Sequence, residues 1–468
     1  MQNVRLKFKL LRKDIVEAVK GTDQDFTNVS LGRAILLLAV PMVLEMIMES
    51  IFAIVDIFFV SKVGADAVAG VGITESLLTI VYSIAVGLST ATTALVARRI
   101  GEKNPGKASV TAFQAILAGS FISLFFAIPG IFLASDLLRL MGASPEVIET
   151  AHPYTAVMLG GNVIIMLLFV INAIFRSAGD AAISMRVLWL ANIINMLLDP
   201  CLIFGLGPFP ELGVEGAAIA TVIGRGIAVV YQFILLFKGR GRVKLLVDRL
   251  KLDFAVMKQL LRVSMGGIGQ SLLAHSSWIF LVRIIAIFGS DVLAGYTIAI
   301  RIVIFSLLPS WGLGNSASTL VGQNLGAKKP WRAERAVWIT GFINMALLGI
   351  VGVIFVLFPA FFIRLFIDDP AVIKTGAVCL RIISYGYLAY AFGMVMTQAF
   401  NGAGDTVTPT WINLFCFWFL EIPLAWSLAV YFGVGEKGIY FAIVIAETML
   451  AVVGTLLFRR GRWKTREV

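Results

Sequence analysis

The chain has 468 residues, of which 59% are hydrophobic and 14% charged, and carries a formal net charge of +11. That composition excludes a soluble domain with a charged surface, because lipid rather than water must be the solvent for most of its exterior. The basic excess does not form a nucleic-acid face: Lys and Arg cluster between apolar segments, where they act as topology signals.

Residues Met1 to Ser30 are basic and polar without a continuous apolar core, unlike a secretory signal, so insertion is expected to rely on the first spanning helix. A helix needs about 20 apolar residues to cross a bilayer. Stretches of that length begin near Arg33, Ala67, Ala108, Val147, Ile183 and Gly213, then near Met257, Val292, Ala333, Ala371, Thr408 and Gly438. The expected fold class is an all-α integral membrane protein with twelve spans, six in each half. Connections alternate in charge as the positive-inside rule requires. Arg98, Arg99, Lys103 and Lys107 follow the second span; Arg240, Arg242, Lys244, Arg249 and Lys251 follow the sixth. Lys328, Lys329, Arg332 and Arg335 follow the eighth, and Arg459 to Arg466 close the chain. Both termini are therefore expected in the cytoplasm of a multi-pass cell (inner) membrane protein. Cys201, Cys379 and Cys416 lie inside apolar segments and suggest no disulfide.

The halves repeat at an offset of 225. Gly64 to Gly70 aligns with Gly289 to Gly295, Pro105 with Pro330, Pro145 with Pro370, and the hexapeptide Phe175–Asp180 with Phe400–Asp405. An even number of spans per repeat makes this a parallel repeat of two six-helix lobes with a cleft between them, the layout of secondary transporters. The expected divisions are a cytoplasmic segment 1–32, an N-lobe 33–238, a cytoplasmic linker 239–256, a C-lobe 257–458 and a cytoplasmic tail 459–468.

Ionisable groups at bilayer depth cost about 3 kcal/mol and are usually held in a bundle interior or an aqueous cavity. Asp56 lies on the first span beyond Pro41, a residue able to bend that helix. Asn192, Asn195 and Asp199 are spaced i, i+3, i+7 on the fifth. On the fourth span Tyr154 and Asn172 are about five turns apart and also share a face. At the repeat offset Asp56 falls on Leu281, Asn195 on Leu420 and Asp199 on Leu424, so ion chemistry is assigned to the N-terminal half. Two carboxylates in a dry pocket would serve proton uptake, and with Asn172 or Asn195 they would equally ligate sodium, which leaves the coupling ion open. Other metals and organic cofactors are not expected. Glu45 and Glu49 line the cavity, pair with a neighbour or lie toward the cytoplasmic end; Glu75 and Arg301 suit an ion pair across the halves; Gln270, His275, Glu421 and Glu447 give the second half polarity without a matched acid pair.

The cues Ala39-Val40-Pro41-Met42 with Asp56 downstream, Asn195 to Asp199 leading into Leu202-Ile203-Phe204-Gly205, the run Leu212 to Thr221, and an Ala-Gly-Asp loop in each half resemble the multidrug and toxic compound extrusion family along Arg33 to Arg460. The resemblance implies a monomeric antiporter, not an enzyme, that exports cationic or amphipathic organic compounds against protons or sodium, surrounded by membrane lipids and binding no nucleic acid. By position it implies Pro41 as the bending residue, Asp56 and Asp199 as coupling acids, and Tyr154, Asn172 and Asn195 as their partners. Glu45, Glu49, Asn192, Thr221, Gln270 and His275 are the substrate-cavity candidates. Gln270 and apolar residues stand where some members carry C-lobe acids, a departure from C-lobe sodium coupling. A flippase for a lipid-linked substrate and a channel are the alternatives; two further spans are expected of the former, and no filter-like repeat supports the latter.

Overall fold

The computed structural model describes residues 2–246 and 251–466, with side chains from residue 9 onward, and every regular element among them is helical. Arg249 of the basic linker lies outside these residues. In chain order the helices are α1 (Gln2–Lys20), α2 (Leu31–Ser61), α3 (Ala65–Gly101), α4 (Pro105–Phe132), α5 (Ala134–Leu140), α6 (Pro145–Gly160), α7 (Asn162–Ala178), α8 (Ala181–Phe204) and α9 (Val214–Lys238). The second half follows with α10 (Phe254–Ile285), α11 (Ser290–Gly326), α12 (Pro330–Leu357), α13 (Pro359–Arg364), α14 (Pro370–Tyr385), α15 (Tyr387–Gly402), α16 (Val407–Tyr431) and α17 (Glu436–Arg459).

Ten of these are long and apolar enough to cross a membrane alone. The pairs α6/α7 and α14/α15 complete twelve spans, bent by 42° and 56°. Both breaks fall on glycine, at Gly161 and Gly386, which are 225 residues apart. Tyr154 and Asn172 therefore do not lie on one continuous face as the spacing suggested, because the helix that would align them changes direction between them.

Local chemistry explains where the spans begin. Asn104 and Ser144 cap α4 and α6 through bonds from the Lys107 and Val147 amides, each ahead of a proline whose missing donor the first turn does not need. Asp253 and Asp369 cap α10 and α14 in the same way. The repeat extends to the backbone: Lys103 and Lys328, 225 apart, both adopt φ of 56° in equivalent turns. Outward faces carry exposed Phe121, Phe125 and Ile128, as lipid contact demands.

The two six-helix lobes meet through small residues near the basic end. A β-carbon on Gly101 would strike the Gln323 carbonyl, and one on Gly326 would strike the Arg98 carbonyl. Gly87 abuts α10 at Ser264 and Ile268, while Gly312 abuts α2 at Met42 and Val43. Each contact is thus matched by its repeat equivalent, the signature of a two-fold related interface. Side chains add to the seam: Gln323 Nε2 donates to the Ser177 carbonyl at 2.8 Å and Ser271 to Ser83 at 3.0 Å. Toward the other end Glu75, Arg301 and His275 are exposed, as expected where the lobes part.

Residues 22–29, between α1 and α2, lie across the seam. Arg242 donates to the carbonyls of Thr22 at 3.0 Å and Gln24 at 2.7 Å, with its guanidinium 4.8 Å from the Phe26 ring. From the second lobe Lys329 donates to the Thr27 carbonyl at 3.0 Å and Asn28 Oδ1 at 2.6 Å, and Arg332 to the carbonyls of Phe26 and Val29. Phe26 is fully buried. One short segment is therefore held by both lobes.

Candidate functional site

The polar interior of the first lobe is assembled by α2, packed against α8, with α9 closing behind. Pro41 is buried within α2, which continues through it as one element. Glu45 is buried and accepts from Arg176 of α7 at 2.8 Å. One turn on, Glu49 accepts from Asn192 of α8 at 3.1 Å and from Arg225 of α9 at 3.4 Å. Both acids thus pair with neighbouring helices, one of the options open for them.

Asn192, Asn195 and Asp199 are all buried, so the stripe read from their spacing does face inward. Asn195 Nδ2 donates to Asp199 Oδ1 at 3.3 Å and to Thr221 Oγ1 at 3.0 Å, joining α8 to α9. Gly224 makes this approach close, since a β-carbon there would lie 2.7 Å from the Ala191 carbonyl. The remaining oxygens, Asn195 Oδ1 and Asp199 Oδ2, are buried without a partner. Buried acceptors seldom stay unsatisfied, so this corner has standing capacity for a proton, a cation or water.

Asp56 is half-buried near the end of α2, and its charge acts on Asp199, so the two acids share one electrostatic environment. Glu75 and Arg225 are the charged neighbours of Asp56. Tyr154 is buried beside the same group, within reach of the charges of Asp56 and Glu75. Asn172 stands apart: its Oδ1 accepts from Gln232 of α9 at 2.6 Å and its carbonyl from Ser184 at 3.2 Å. The structure thus brings Asp56, Tyr154, Asn195, Asp199 and Thr221 to one region and uses Asn172 in a bond between α7 and α9.

In the second lobe Gln270 exchanges amide hydrogen bonds with Asn401 at 3.0 and 3.1 Å and donates to the Thr406 carbonyl, so both ends of its side chain are engaged. His275 is exposed, with Nδ1 2.8 Å from the Ser271 carbonyl. Glu75 and Arg301 are electrostatic neighbours across the lobes without an ion pair inside 4 Å among the described residues. Glu421 is buried and accepts from Ser277 at 2.7 Å, and Glu447 lies within range of its charge. At the repeat offset these two acids fall on Met196 and Val222, so they are not the counterparts of Asp56 and Asp199. Over Leu414–Glu421 α16 winds as a π-helix.

Arg176 and Arg225 are the site residues that sequence reasoning missed. Their signal was present as charge balance: intramembrane Glu45 and Glu49 require cations, and Arg225, set between Gly224 and Gly226 at mid-span, is a candidate on those grounds. Among the described residues no group of three or more His, Cys, Asp or Glu side chains is arranged for a metal ion. A cation bound at Asp199 would draw on amide and hydroxyl oxygens as well as carboxylates.

The chain as a whole is similar to known proteins. The chain is 26% identical over 433 residues to a probable multidrug resistance protein NorM of Thermotoga maritima, spanning 92% of this chain and 93% of the relative. It is 26% identical to the FAD transporter of Shewanella oneidensis, spanning 92% and 95%. Its structure superposes on that of a multidrug resistance MATE family transporter of the MOP superfamily in an outward-facing conformation, with TM-score 0.88, 25% identity, and 94% and 98% of the two chains covered. The MatE family model matches residues 41–201 and 268–427, one stretch in each lobe, and the chain belongs to that multidrug and toxic compound extrusion family, whose members are transporters rather than enzymes.

Proposed function

We propose that the protein is a secondary antiporter of the inner membrane, with both termini cytoplasmic, which exports cationic or amphipathic organic compounds in exchange for protons or sodium by alternating exposure of the cleft between its lobes. The divisions 33–238 and 257–458 are its two moving bodies, and Asp56 and Asp199 its coupling acids. The reading is carried by one observation. Once Glu45 is matched to Arg176 and Glu49 to Arg225, Asp199 is left, among the described residues, without a base inside 4 Å and with a buried, unpartnered oxygen beside that of Asn195. A site that is short of positive charge in one state and filled in another supplies the differential binding by which a gradient shifts a two-state equilibrium.

Tyr154, Asn195 and Thr221 would orient the acids. Asn172, tied to Gln232, would act through the packing of α7 on α9, and Pro41 would let α2 bend when the acids change occupancy. Glu45, Glu49, Asn192, Gln270 and His275 border the path a substrate would take. The deciding measurement is uptake of an organic cation into proteoliposomes under an imposed proton gradient and, separately, an imposed sodium gradient. Asp56→Asn and Asp199→Asn should each abolish coupled uptake with insertion intact; undiminished uptake in both would exclude these residues from the mechanism. One relative carries FAD by name, so a flavin dinucleotide belongs beside the cations in the substrate panel.

A further inference from the structure

Arg225 has no task in the coupling scheme above, yet it is the cation closest to it. It is buried at mid-span on α9, where an unneutralised charge is costly. Its Nη2 lies 3.4 Å from Glu49 Oε1, and its guanidinium carbon lies 5.3 Å from the centre of the Phe52 ring. Glu49, Phe52 and Asp56 are spaced i, i+3, i+7 along α2 and form a single stripe, an acid at each end and an aromatic face between. The guanidinium lies alongside that stripe. Its bond to Glu49 is long for a charge-assisted pair, and its Nε is buried without a partner, so the group is held but not saturated.

The charged and titratable groups acting on it are Glu49 and Asp56 on α2, Tyr82 on α3, which also hydrogen-bonds to it, and Tyr154 on α6; Glu75 on α3 and Asp199 on α8 surround Asp56 in turn. None of these is a base.

We propose that Arg225 is a resident cation shared by Glu49 and Asp56, a positioning residue that competes with the driving cation for the Asp56 carboxylate. This rests on the reading of Asp56 as a coupling acid. With a proton or sodium ion at Asp56, the guanidinium is drawn toward Glu49, as in this structure. When that cation leaves, the bare carboxylate attracts Arg225 along the stripe, over the face of Phe52 toward an acid about two helical turns, or about 10.5 Å, beyond Glu49. The site then never holds a naked charge at low dielectric, and release is promoted because the departing cation has a replacement.

The test is the concentration of driving cation that gives half-maximal uptake, measured in proteoliposomes under whichever gradient supports transport. Arg225→Met should lower that concentration about tenfold, since an opposing charge is gone, and slow turnover because release is no longer compensated. Glu49→Gln should raise it, because Arg225 is freed to lie on Asp56. Arg225→Lys, which keeps the charge, should shift it less than Arg225→Met. Slower uptake in Arg225→Met and Glu49→Gln with the half-saturation point unmoved, or a shift of both in the same direction, would reduce Arg225 to a packing residue. Where Arg225→Met fails to insert, the direction of the Glu49→Gln shift decides alone. The two readings fail differently: coupled uptake persisting in Asp56→Asn overturns the coupling assignment, whereas its loss in Asp56→Asn beside an unshifted Arg225→Met overturns the Arg225 inference only.

Discussion

Gly101 and Gly326, 225 residues apart, hold reciprocal places in the seam between the lobes: the first lies against the carbonyl of Gln323, and the second against that of Arg98, each position being the repeat equivalent of the other's partner. Neither site has room for a β-carbon. The lobes therefore close at the basic end only as far as glycine allows.

Gly101→Val should disfavour closure there. Overpacking against a backbone carbonyl costs at least about 1–2 kcal/mol, a factor of roughly 5–30 in the equilibrium between closed and open seams. Ala97 is fully buried beneath Gly322 and reports on it. A cysteine at position 97 should react with maleimide faster by about that factor in the Gly101→Val background; an unchanged rate would mean that the seam does not open there.

Removal of residues 1–30, or Phe26→Ala, should act in the same direction by a separate route. The segment 22–29 is bonded to Arg242 on one lobe and to Lys329 and Arg332 on the other. Each such bond contributes about 1 kcal/mol, and separation of the lobes must break one set. The same cysteine should become more reactive, with the transport substrate unchanged.

The pH dependence of this segment follows from Asp25. Burial works against its ionisation, but hydrogen bonds from Thr27 and the charge of Lys103 outweigh that effect and hold the carboxyl below its usual range. A lowered folded-state value means that the contribution is complete above the ordinary carboxylate value near 3.9 and is lost as the pH falls through the lowered one. Asp25→Asn should melt below the parent at neutral pH, and the gap should narrow as the pH falls below the ordinary carboxylate value. A gap independent of pH would show that the charge is immaterial.

Glu45→Ala should be the most destabilising of the intramembrane acid substitutions, because it leaves Arg176, only 14% exposed, without its carboxylate, at a cost of up to about 3 kcal/mol. The double variant Glu45→Ala with Arg176→Met should recover much of that loss, as read from thermal melting in detergent. Additive losses would indicate no coupling between the two.

Much of the architecture was legible in the residues. Span positions follow from apolar length, the repeat from identities at one offset, and the inward stripe Asn192, Asn195, Asp199 from helical spacing alone. The break at Gly161 was not legible, because a glycine inside an apolar run is compatible with both a straight and a bent helix, and packing decides between them. Nor was the π-helical stretch Leu414–Glu421, since a π-turn moves a side chain around the helix without changing the sequence spacing.

The sequence by itself determined that this is a duplicated, twelve-span membrane protein with acids concentrated in its first half, because hydropathy, periodicity and self-similarity are properties of the chain read in order. Only the tertiary structure decided which acids are neutralised. Arg176 reaches Glu45 over 131 positions and Arg225 reaches Glu49 over 176. A charge balance among helices is set by distance in space, and no local pattern along the chain encodes which base will stand beside which acid.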